Sequence, residues 1–149
     1  MQLVHQFLER SAERTPDKIA LVCDGQRLTY AQIDAMANRL ANALRGQGVQ
    51  RGGRVILYLH NCVELVVGIF AVLKADGVFV VINATTKIDK LLYTACNSRA
   101  SAIIMPATQV DIAATILKGA KSVKFAALTG KSGPELRAEG SYLYFDQIL

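Results

Sequence analysis

The chain has no tryptophan, only three prolines, two histidines and three cysteines in 149 residues, and each scarcity removes a class of protein. Cys23, Cys62 and Cys96 are odd in number, far apart and form no CxxC pair, which excludes a disulfide framework and a zinc ribbon. Reduced, mostly buried thiols are expected. No apolar run approaches the about 18–20 residues that span a bilayer. The opening MQLVHQFLERSAER interleaves charges with apolar residues and has no hydrophobic signal core, so it does not read as a signal peptide and a cytoplasmic location is expected. Acidic residues are missing from the stretch holding Arg39, Arg45, Arg51 and Arg54 and from the one holding Lys118, Lys121, Lys124 and Lys131, within a net charge of +5. A basic balance can attract nucleic acid. Neither stretch is interleaved with aromatics or set in a nucleic-acid motif, so both are expected to be solvated faces, with no nucleic-acid partner.

What is present is apolar residues in strong periodicities. Hydrophobic residues make up 52% of the chain, high enough that some apolar surface is expected to face a partner or a second copy. The length fits one domain. Val4, Phe7, Leu8 and Ala12 predict a helix over Leu3–Arg14, stopped by Thr15-Pro16-Asp17. Ile19–Cys23 and Arg27–Tyr30 flank Asp24-Gly25, a hairpin signal that predicts a small antiparallel ribbon. Thr29, with Gln32 three residues on, predicts a capping box opening a helix whose apolar face is Ile33, Met36, Ala37, Leu40, Ala41 and Leu44. Gly46 and Gly48 end that helix.

From Arg54 onward strands and helices alternate. Strands are predicted over Val55–Leu59, Val78–Ile82, Ala102–Met105 and Ser122–Leu128. Helices are predicted over Cys62–Ala75, Thr86–Cys96 and Gln109–Lys118. Asn61 and Thr86 are the expected N-caps, with Glu64 and Asp89 three residues beyond. Apolar strands separated by helices indicate βαβ units and an open, mostly parallel sheet with helices on both faces, whose strands are apolar on both sides because water reaches neither. Gly68, in mid-helix, costs about 0.8–1.0 kcal/mol relative to Ala, so close packing against the sheet is its expected reason. Residues 129 to 141 read as a turn-rich polar loop, after which YLYFDQIL begins a new element.

Candidate chemistry is sparse. Gly130-Lys131-Ser132 follows a strand like the end of a phosphate-binding loop, but Phe125 stands where that motif needs its first glycine, and Gly133-Pro134 precludes the following helix. A surface turn is the reading. His60-Asn61-Cys62-Val63-Glu64 is where His, Cys and a carboxylate come together, at the carboxyl end of a predicted parallel strand, where ligands bind in open α/β sheets. A metal site wants three or four ligands and a cysteine nucleophile wants a histidine in hydrogen-bond reach, so a capped helix start with a half-exposed His60 is favoured. His5 has a weaker claim. Asn83-Ala84-Thr85 has the form of a glycosylation acceptor, but without a secretory signal it reads as a turn. No catalytic, cofactor-binding or metal-ligating residue is assigned.

Residues 73 to 105, LKADGVFVVINATTKIDKLLYTACNSRASAIIM, nevertheless resemble an early core motif of the AMP-forming carboxylate ligases, the superfamily of acyl-CoA synthetases, aryl-CoA ligases, luciferases and peptide-synthetase adenylation domains. Leu73-Lys74-Ala75 ends a helix, Val78 to Ile82 is the apolar strand, Asn83-Ala84 the turn, Ile88 to Asn97 the next helix, and Ser98-Arg99-Ala100 precedes another strand. Leu28-Thr29-Tyr30 and the Asn61 to Glu64 helix start lie in the order the family has them. The resemblance implies that residues 1–149 form a single α/β domain, the N-terminal lobe of such a ligase. The parent would activate a carboxylic acid with ATP and Mg²⁺ to an acyl adenylate and pass it to the thiol of coenzyme A or a carrier protein. The family's Ser/Thr/Gly-rich phosphate loop, later acidic motifs and C-terminal lysine would all lie beyond Leu149, so the expected partner is the remaining C-terminal part of the parent, and no activity is expected of this chain alone. Two positions depart from the family pattern, Asp76 and Gly53, where Gly and Asp are usual. The Ile82-to-Thr86 turn leans toward acyl-CoA ligases. The competing readings are a free-standing, non-catalytic protein-interaction module and a small nucleotide-binding protein using the strand ends near His60.

Overall fold

A computed structural model describes residues 1–130 and 142–149. The amino-terminal helix α1 is His5–Arg14, followed by the antiparallel ribbon β1 (Ile19–Cys23) and β2 (Gln26–Thr29). Asp24 and Gly25 both have positive φ, 48° and 78°, as a two-residue hairpin with the twist of its strands requires. Thr29 caps α2 (Tyr30–Gly46): the Gln32 amide donates to Thr29 Oγ1 and the Thr29 amide to Gln32 Oε1, at 3.2 and 2.8 Å. The capping box read from the sequence is therefore present.

The alternating region forms β3 (Arg54–Leu59), α3 (Val63–Lys74), β4 (Val78–Asn83), α4 (Ile88–Asn97), β5 (Ala102–Pro106), α5 (Val110–Gly119), β6 (Phe125–Thr129) and β7 (Tyr142–Tyr144). The five strands lie in the order β4-β3-β5-β6-β7, each parallel to its neighbours. The period of two sorts their side chains. Val55, Leu57, Ala102, Ile104, Phe125 and Ala127 enter a core with α1, α2 and α3. Ile56, Tyr58, Ile103, Met105, Ala126 and Leu128 enter a second core under α4 and α5. Gly68 sits as expected, with a Cβ there lying 3.2 Å from Leu57 Cδ2.

Five readings are corrected. The thiols are not mostly buried: Cys23 and Cys62 are half-buried and Cys96 is exposed. The cap of α3 is Cys62 rather than Asn61, with extended backbone and no side-chain cap bond. The cap of α4 is Lys87 rather than Thr86, also without a side-chain bond. There Asn83 Oδ1 accepts from the Thr85 amide and hydroxyl while the Thr86 amide donates to Asn83 O; this local turn holds the segment and delays the helix. The last of the four predicted strands starts at Phe125 rather than Ser122, because the Val123 amide closes a turn onto Ala120 O. Finally, β3, β5 and β6 are buried on both faces, but β4 is not, since it is the sheet's edge and Val78, Phe79 and Val81 are exposed. The polar loop read over residues 129 to 141 falls, from Lys131 on, outside the described residues.

Three helices end alike. Gly48, Asp76 and Arg99 have positive φ (97°, 59°, 50°). The amides that follow, of Val49, Gly77 and Ala100, reach back to the carbonyls of Leu44, Val72 and Ala95 at 3.1, 2.9 and 3.1 Å. This is the Schellman arrangement, which favours glycine at the left-handed position. Asp76 also faces Arg45 at 4.0 Å across a mostly exposed pair, a contact worth little in water. Asp76→Gly is therefore expected to raise stability by about 0.5–1 kcal/mol, read as a higher urea midpoint with unchanged slope.

Candidate functional site

The chain leaves β3 through α3 on one face and β5 through α5 on the other, as the two cores show, so the strand order reverses between β3 and β5. In an open α/β sheet the crevice outside the carboxyl ends at such a reversal is where ligands bind. His60 and Asn61 lie there, both exposed, next to a cavity of about 380 Å³ lined by Leu59, His60, Asn61, Leu65, Val81 and Asn83. Tyr58 Oη donates to Thr86 O at 2.9 Å, fastening the β4–α4 turn across the same end. Gln109 Oε1, after β5, is buried without a hydrogen-bond partner.

These groups do not assemble reactive chemistry. Burial pushes the Cys62 thiol above its ordinary value, reinforced by the nearby Glu64 charge. Desolvation and the adjacent Asp24 carboxylate do the same to Cys23. Both thiols are thus held protonated near neutrality, the opposite of an activated nucleophile or metal ligand. Cys23 Sγ instead lies 3.8 Å from Asn61 O, joining the ribbon to the β3–α3 loop. Among the described residues no group of three His, Cys, Asp or Glu could hold a metal ion.

Nor do the described residues fit a triphosphate. Helix N-termini attract anions through their free amides, but α3, α4 and α5 carry Glu64, Asp89 and Asp111 in their first turns. The cavity beside His60 has no Lys or Arg in its lining. Gly130 closes β6 with φ 97°, while Lys131 and Ser132 lie outside the described residues.

The arginine stretch has a more definite use than solvation. Arg39 donates to Leu149 O at 3.1 Å, and Arg54 to Ser98 O and Gly52 O at 2.7 and 3.1 Å. Arg45 donates to Lys74 O, one of the carbonyls the end of α3 leaves free. Three of these four guanidiniums thus hold main chain.

Sequence reasoning missed Lys74. Only 7% of its side chain is exposed, and its Nζ lies 2.6 Å from Glu9 Oε1 on α1 and 2.9 Å from Asp34 Oδ1 on α2. One ammonium therefore ties three helices together. The available signal was a lysine closing a helix that is apolar from Leu65 to Leu73, in the very tripeptide Leu73-Lys74-Ala75 that carries the family resemblance.

Comparison with known proteins places this geometry. The family model described as AMP-binding enzyme matches residues 8–141. The chain is 34% identical over 146 residues to a medium/long-chain-fatty-acid–CoA/3-oxocholest-4-en-26-oate–CoA ligase of Mycobacterium marinum, covering 97% of this chain and 26% of that protein. It is 36% identical over 101 residues to tyrocidine synthase 2 of Brevibacillus parabrevis, covering 68% of this chain and 3% of that one. Among solved structures, an anthranilate CoA ligase in complex with anthranoyl-AMP superimposes with a TM-score of 0.87 at 25% identity, over 98% of this chain and 27% of the other. The chain thus spans about a quarter of the length of the CoA ligases it matches.

Proposed function

The chain belongs to the AMP-binding enzyme family, and from that premise we propose that it is the N-terminal lobe of an AMP-forming acyl-CoA ligase. The whole protein joins a carboxylic acid to the AMP portion of ATP, releasing pyrophosphate, and passes the acyl group of that adenylate to the thiol of coenzyme A, releasing AMP, in the cytoplasm. The observation that carries this reading is one of proportion. Nearly the whole chain matches about a quarter of a fatty-acid–CoA ligase. Its part in the reaction is architectural: β3, β5 and β6 and their helices form one wall of the molecule, and Mg²⁺, nucleotide and thiol are held by residues outside it. The choice of coenzyme A over a carrier-protein thiol rests on the proline-free Ile82-to-Thr86 turn and on the near-complete overlap with CoA ligases.

The test is ATP–pyrophosphate exchange by the 149-residue chain with a panel of fatty and aromatic acids. No exchange above a protein-free blank is expected, whereas the chain extended to the length of its relatives should exchange with at least one acid. Exchange by the short chain would overturn the assignment of the chemistry to residues outside it. An extended chain inactive with every acid would overturn the ligase reading.

A further inference from the structure

We propose that β4 is a self-complementary edge that pairs antiparallel with β4 of a second copy of this chain. The residues Val78–Asn83 read VFVVIN: no charge, proline or glycine. They run in unbroken register with β3, from Arg54↔Val78 to Leu59↔Asn83, with no bulge. Sheet edges are ordinarily blunted by lysine, proline, bulges, shortness or a covering element. Among the described residues none of these operates, and Val78, Phe79 and Val81 are between 37% and 50% exposed. The opposite edge, β7, is by contrast only three residues long and runs directly into a 3-10 turn.

Backbone accounting fixes the register. The Val78 amide donates inward to Gly53 O at 2.9 Å, and along a strand these groups alternate in direction. Val78, Val80 and Ile82 therefore bond toward β3, which leaves the N–H and C=O of Phe79 and Val81 on the open edge. An isologous antiparallel pair has its two-fold axis normal to the sheet. With Val80 facing Val80 of the second copy across that axis, Phe79 lies opposite the second copy's Val81, and Val81 opposite its Phe79. Both are hydrogen-bonded positions, so the eight open backbone groups of Phe79 and Val81 in the two copies are satisfied by four hydrogen bonds, and of the edge only the Asn83 N–H lies beyond them. On one face the exposed Phe79 and Val81 stack in aromatic–β-branched pairs; on the other, Val78 meets Ile82. Such pairs are the favourable ones across antiparallel strands. Two short strands meeting by their edges bury less than the about 1,200 Å² of a standard interface, so the dimer is weak and appears as a concentration-dependent equilibrium.

Sedimentation equilibrium of the 149-residue chain over a wide concentration series tests this. A monomer–dimer isotherm is expected. Val81→Pro, which removes an outward N–H without taking a bond from β3, should raise the dissociation constant roughly tenfold or more, since the dimer loses two hydrogen bonds. Val81→Lys should weaken it comparably by removing both apolar Phe79–Val81 pairs and setting two ammonium groups diagonally across the seam. V80C should form a covalent dimer under mild oxidation, with the introduced thiols joined to each other in the peptide map. Monomer at every concentration, open-ended polymers, or a dimer that both Val81 variants leave unchanged while circular dichroism shows them folded would each overturn the proposal.

Discussion

Lys74→Ala is expected to lower the unfolding free energy by about 3 kcal/mol, the lower end of the range for breaking a buried ion pair by removing one partner. The physical cause lies in what remains. Glu9 and Asp34, 37% and 20% exposed, would face the same pocket without a cation, each having lost the group that offset its desolvation. Their residual contact with water sets the loss at that lower end. For a chain of this size the melting temperature should fall by roughly 6–12 °C. Urea unfolding is the direct measurement, with a lower midpoint and unchanged slope. Adding Glu9→Gln and Asp34→Asn to the lysine change should recover most of the loss, because an uncharged cluster carries no unpaired ion. A Lys74→Ala midpoint within about 1 kcal/mol of the parent would remove the ammonium as the tie between α1, α2 and α3.

That expectation also changes what the family tripeptide means. Leu73-Lys74-Ala75 is legible in the sequence as a helix end, and the helix does end there. The lysine's partners are not legible, because Glu9 and Asp34 are 65 and 40 residues away and no local periodicity connects them. The same division runs through the whole chain. The hairpin at Asp24-Gly25, the Thr29 capping box and the βαβ succession are local or periodic, and each appears at its place. Helix starts expected at Asn61 and Thr86 were displaced by one residue, the second because the Asn83 side chain and carbonyl hold the turn before α4. The exposure of β4 could not be read at all: a strand apolar on both faces looks the same at the centre of a sheet as at its edge, and position in the sheet is set by topology. The candidate at His60 was placed correctly at the carboxyl end of a parallel strand. Whether neighbouring residues converge there depends on side-chain placement, and the structure surrounds His60 with apolar side chains and amides.

Gly53→Asp, which restores the residue usual in the family, is expected to destabilise this chain by about 2 kcal/mol. A Cβ at position 53 would lie 2.8 Å from Gln50 O and 3.1 Å from Ser101 Oγ, and the first of these is main chain that cannot yield as a side-chain tip does. Its carbonyl is fixed by the turn, since the Gly53 amide donates to Gln50 O at 2.8 Å. Relief requires the whole turn to shift, within the about 1–3 kcal/mol of forced overpacking. The turn is held from the other side by the second departure: the Gly52 amide donates to Asp76 O at 2.8 Å and the Val78 amide to Gly53 O at 2.9 Å. The two unusual residues thus occupy opposite sides of one contact between the starts of β3 and β4. Glycine at 53 gives the β3 turn room to approach, and the strained Asp76 carbonyl receives its amide. The changes should therefore be non-additive. In the Asp76→Gly background, where the helix end is free to adjust, Gly53→Asp should cost measurably less than it does alone. A four-point cycle of urea midpoints tests this, and strict additivity would show that the contact does not couple the two positions.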